Sequence, residues 1–104
     1  MGDSVHHRPP DHCYPIIDDD RFVILWNGVE VKLGNTDRFR LARALVRCRR
    51  RNVSHEDIRG VQDKPDMTPE AIRQAVRNLK KRLPADLAQH IVAEFGHYSL
   101  DLRR

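Results

Sequence analysis

Long apolar runs are missing from this 104-residue chain; none approaches the roughly 20 consecutive apolar residues that a membrane-spanning helix needs. The N-terminus also lacks the basic-then-apolar pattern of a secretory signal. The expectation is a soluble, cytoplasmic protein with no membrane partner. Cysteine is scarce: Cys13 and Cys48 stand far apart with no CxxC pairing, which argues against a disulfide framework or a structural zinc site. Internal repeats and coiled-coil heptads are absent as well. The six histidines are scattered, with His55 at a helix start, His90 before a strand and His97 at a turn. No nucleophile lies beside a base at recognisable spacing, so the chain is expected to be no enzyme and to carry no cofactor.

What is present suits one small domain. With 39% hydrophobic and 33% charged positions, 104 residues can bury one modest core and not two. The net charge of +4 is unevenly spread. Residues 1–34 hold three basic and six acidic side chains, a balance of −3, and residues 35–104 hold 16 and nine, a balance of +7. Such asymmetry suggests a polyanionic partner, nucleic acid first.

Residues 1–13 carry Pro9-Pro10 and almost no periodic hydrophobicity, and read as a flexible tail before a domain spanning 14–104. His6, His7, His12 and Cys13 are ligand types for a soft metal, but no rigid scaffold supports them, and no metal is expected. Asn27-Gly28 separates the apolar run Phe22–Trp26 from an alternation that puts Val29, Val31 and Leu33 on one face. Asn-Gly favours a type I′ turn, so a β-hairpin with one buried face is predicted. Tyr14–Ile17 can add a third strand, connected through Asp18-Asp19-Asp20.

A first helix is predicted over 36–50, with Phe39, Leu41, Ala42, Leu45, Val46 and Cys48 on its apolar side. Arg47 and Arg49–Arg51 crowd its end, either as charge favoured by the helix dipole or as a binding patch. Ser54 and Asp57 have capping-box spacing for a second helix that Gly60 ends. Thr68 and Pro69 open a third, which runs to Leu83 and stops at Pro84. On it Ile72, Val76, Leu79 and Leu83 form one stripe. The chain end alternates again, with Gly96-His97 as the central pair of a type II′ hairpin turn. The predicted order is hairpin, three helices, hairpin: an α+β fold.

The third helix concentrates the chemistry. Opposite or beside its apolar stripe lie Arg73, Gln74, Arg77, Asn78, Lys80 and Lys81. Cations neutralise phosphates, whereas guanidinium and amide forks read base edges: Arg pairs with guanine, Gln or Asn with adenine. Arg77 is therefore a candidate base reader and Lys81 a candidate phosphate contact. The alternative is an ordinary solvated helix face.

Five segments in order, WNGVEVKL, FRLARAL, VSHEDI, AIRQAVRNLKKRL and IVAEFGHYSL, resemble the winged-helix effector domain of OmpR-type response regulators over residues 14–102. The most specific part is Ile72 and Val76 followed by Leu79-Lys80-Lys81-Arg82-Leu83. The resemblance implies an N-terminal antiparallel sheet, three helices and a C-terminal β-hairpin wing. It implies sequence-selective binding of double-stranded DNA in transcriptional control, with helix 68–83 in the major groove. Arg73, Arg77, Asn78 and Lys80 match DNA-facing positions of the family, and Ala75 replaces a residue that is often polar there. Loop 61–67 matches the segment that touches RNA polymerase or another regulator, and a homodimer on DNA is implied. The resemblance covers the effector part of such regulators and not their receiver part, and the wing is shorter than is usual in the family. Glu94 and Asp101 suit phosphates poorly, so His97 is the wing's one candidate reader, with Arg103 and Arg104 as substitute backbone contacts. A protein-interaction module that binds no DNA is the alternative reading, with the Asp18–Asp20 run as its acidic surface.

Overall fold

Asn27 and Gly28 both adopt positive φ, 49° and 80°, and reverse the chain between β2 (Val23–Trp26) and β3 (Val29–Lys32). This is the two-residue turn that Asn-Gly favours, because its twist matches that of the strands it joins. β1 (Ile16–Asp18) pairs antiparallel with β2, giving a three-stranded sheet in the order β1-β2-β3. The computed structural model describes residues 14–48, 52–94 and 96–102. The His6, His7, His12 and Cys13 cluster, Arg49–Arg51, Phe95, and Arg103 and Arg104 lie outside the described residues.

Ile24 and Trp26 of this sheet are buried, as is Leu33 beyond β3, but Val29 is 50% exposed. The expected buried face therefore stops short of the turn, which projects past the core. Trp26 instead anchors this end of the sheet: its Nε1 donates to Asp86 Oδ2 at 3.1 Å.

Helix α1 (Asp37–Arg47) is shorter than the predicted 36–50. Thr36 is its N-cap, outside the helix, and accepts from the Phe39 amide; Cys48 leaves the helical region at φ −102°, ψ 37°. Helix α2 (His55–Gln62) starts as expected at a reciprocal capping box between Ser54 and Asp57. It does not end at Gly60. The left-handed C-cap is Asp63, at φ 58°, and Gly60 is an interior helical residue. The extension is held by Gln62, which is buried and donates from Nε2 to the Asp37 carbonyl of α1. A buried amide with a partner outweighs the modest helix penalty of one glycine.

Helix α3 (Pro69–Arg82) matches expectation at both ends, with Thr68 as N-cap, Pro69 in its first turn and Leu83 as C-cap before Pro84. A short α4 (Ala85–Ala88), not foreseen, follows at once and buries Leu87.

The C-terminal strands β5 (Ile91–Glu94) and β6 (His97–Leu100) form a hairpin, with β4 (Val53–Ser54) added to β6. Glu94 pairs with His97, so His97 belongs to β6 and is not a central turn residue. Gly96, at φ 79°, supplies the positive φ just before β6. The shift sets Leu100, not Leu102, opposite Ile91, and both of that pair are buried. Two three-stranded antiparallel sheets and four helices among the described residues thus make an α+β fold around one apolar cluster. None of these helices is long and apolar enough to cross a membrane.

Candidate nucleic-acid interface

The geometry of α3 follows from its apolar stripe. Ile72, Val76 and Leu79 are buried in the central cluster, with Leu83 behind them. At about 100° per residue this fixes the opposite side in solvent. Arg73, Gln74, Arg77, Asn78, Lys80, Lys81 and Arg82 are all exposed.

These side chains occupy two separate flanks. Arg73, Arg77, Lys80 and Lys81 line a groove whose other wall is the C-terminal hairpin, through Ala93 and Tyr98. Gln74 and Asn78 line a different groove with Asp37, Arg38, Gln62 and Lys64, contributed by α1, the end of α2 and the loop after it. Gln74 Nε2 donates to Asn78 Oδ1 at 3.3 Å. His97 lines neither groove: it is half-buried on β6 between Ser54 and Glu94. Sequence reasoning missed Ala93 and Tyr98 as a groove wall, since no local pattern shows that the hairpin folds alongside α3.

The charge balance separates this surface from the rest. Arg21 is paired with Glu30, Arg40 and Lys64 with Asp37, Arg43 and Arg47 with Asp19, and Arg59 with Glu56. On α3, Arg73 is paired with Glu70, an i,i+3 contact legible in the sequence. Arg77, Lys80, Lys81 and Arg82 have no such carboxylate among the described residues. Arg82 carries its positive charge on the other flank of the helix, about 160° from Lys80.

The acidic side chains are largely engaged within the fold. Asp18 Oδ1 accepts from the amides of Asp20 and Arg21, closing the β1–β2 connection. The Arg43 hydrogen bond, with Arg47 nearby, holds the Asp19 carboxyl below its ordinary value. Lys64 and then Arg40 do the same for Asp37. The carboxylates of Asp18 and Asp19 therefore serve the turn and α1. The expected loop 61–67 is also altered, because Val61 and Gln62 belong to α2. The remaining loop is tied down by Lys64 to Asp37 and by Arg59 Nε donating to the Met67 carbonyl at 2.8 Å.

Among the described residues, no group of three or more histidine, cysteine or acidic side chains could hold a metal ion. The chain matches no protein-family model, no curated protein and no solved structure.

Proposed function

We propose that this chain is a winged-helix module that binds double-stranded DNA sequence-selectively as a non-catalytic transcriptional regulator. In this reading α2 and α3 are the helix-turn-helix pair, α3 enters the major groove, and the β5–β6 hairpin is the wing. The observation that carries it is the set Arg77, Lys80, Lys81 and Arg82: exposed, without carboxylate partners among the described residues, and held on a helix whose other side is buried. A helix of this length fits the roughly 12 Å major groove, and unpaired cations are what counterion release from phosphates requires. The short loop between strands and the half-buried His97 leave the wing a minor role. Fluorescence anisotropy with a random-sequence duplex at low salt tests the proposal. Binding that weakens steeply with salt is the expected result, and no binding overturns it.

A docking module is the second reading, favoured by exposed Ile16 and Val29 on the N-terminal sheet, at 61% and 50%. It predicts that Ile16→Glu abolishes partner or self-association and that the α3 cations are dispensable.

A further inference from the structure

We infer that Gln74 is the specificity-determining residue of the interface and that it selects adenine, with Asn78 as its positioning residue; this rests on the DNA-binding reading above. Chemical segregation on α3 leads to this assignment. Arg73, Arg77, Lys80 and Lys81 line the flank facing the hairpin, and the amides lie on the flank facing α1. DNA is ordered in the same way, with phosphates along the walls of the major groove and base edges on its floor. Arg77 and Lys80, at about 140° and 80° from Ile72, share the hairpin-facing flank and can follow one phosphate strand, which assigns Arg77 to backbone rather than to guanine. Gln74 lies two residues beyond Ile72, about 200° around the helix, so it sits near the crown that goes deepest.

Position around the helix separates the two amides, and the hydrogen bond between them orients the reader. Gln74 uses one Nε2 proton on Asn78 Oδ1 at 3.3 Å. It keeps Oε1 and a second N–H side by side, the fork that complements the N6 amino group and N7 of adenine. Asn78 Oδ1 accepts that bond and keeps a second lone pair; at about 240° from Ile72, Asn78 lies further down the flank than Gln74, which places Gln74 as the reader and Asn78 as the residue that orients it. Lys81, also near the crown, is a point charge without a fork.

Binding-site selection from random duplexes, followed by anisotropy, tests the assignment. The wild-type chain should select sites with one fixed A·T pair. Replacing that adenine by 7-deaza-adenine, which lacks the N7 acceptor, should weaken binding about 5- to 150-fold, the range of a good bidentate contact. Gln74→Ala should still bind DNA yet lose both the preference and the 7-deaza effect. Asn78→Ala should lower the preference and Asn78→Ser, which restores an oxygen acceptor, should partly rescue it. Lys81→Ala should weaken all duplexes alike. An A·T preference that survives Gln74→Ala, or a fixed guanine lost in Arg77→Ala, overturns the assignment and leaves DNA binding standing. Failure of the wild-type chain to bind any duplex overturns both.

Discussion

The salt dependence of DNA binding can be worked out from the ion pairs. Each phosphate neutralised on a duplex contributes about −0.9 to the slope of log K against log salt. Among the described residues Arg77, Lys80, Lys81 and Arg82 have no carboxylate to give up, so each can displace a counterion. If each meets one phosphate, the slope is about −3.6, and affinity falls roughly 150-fold between about 50 and 200 mM salt. Arg73 is held by Glu70 and adds little until that carboxylate is removed. Glu70→Gln should therefore steepen the slope towards about −4.5 and raise affinity at low salt, while Lys81→Ala should flatten it to about −2.7. Anisotropy titrations of one labelled duplex over a salt series measure all three slopes. A wild-type slope shallower than about −2, or slopes unmoved by Lys81→Ala and Glu70→Gln alike, would refute the assignment of these cations to phosphate.

The fold makes its own predictions. Gly60 is an interior residue of α2, and a Cβ there would meet nothing within 4 Å, so Gly60→Ala should stabilise the protein by about 0.5–1 kcal/mol in urea unfolding. Destabilisation would mean that α2 ends at Gly60 after all. Ile72→Ala removes a fully buried side chain beneath α3 and should cost about 2–5 kcal/mol, against less than about 0.5 for Lys81→Ala. Equal effects would place the α3 stripe outside the core. Asp19 and Asp37 have carboxyl groups held below the ordinary value of 3.8 by their cationic partners. Because the folded-state value is the lower one, their contribution to stability is present above 3.8 and fades as pH falls through the folded-state values. Asp19→Asn and Asp37→Asn should thus lower stability near neutrality, with the difference from wild type closing in acid. A difference that persists unchanged there contradicts the ion pairing.

Local chemistry alone determined much of this protein. The Asn27-Gly28 turn, the Ser54–Asp57 capping box, the Thr68-Pro69 start of α3 and its apolar stripe depend on contacts within a few residues, so they are legible in order along the chain. That same stripe put Arg73, Gln74, Arg77, Asn78, Lys80 and Lys81 outside before any tertiary contact was known. Tertiary structure decided the rest. α2 runs past Gly60 because Gln62 finds its partner on α1, 25 residues earlier in the chain. The hairpin takes His97 into β6 because Ile91 and Leu100 pair at a buried position. Which cations are neutralised depends on carboxylates brought in by folding: Asp19 to Arg43 and Arg47, Asp37 to Lys64. The separation of cations from amides arises in the same way, since a groove needs two walls and the second wall of each comes from a distant segment. Helical periodicity can say that a side chain faces outward, but only packing says what stands beside it.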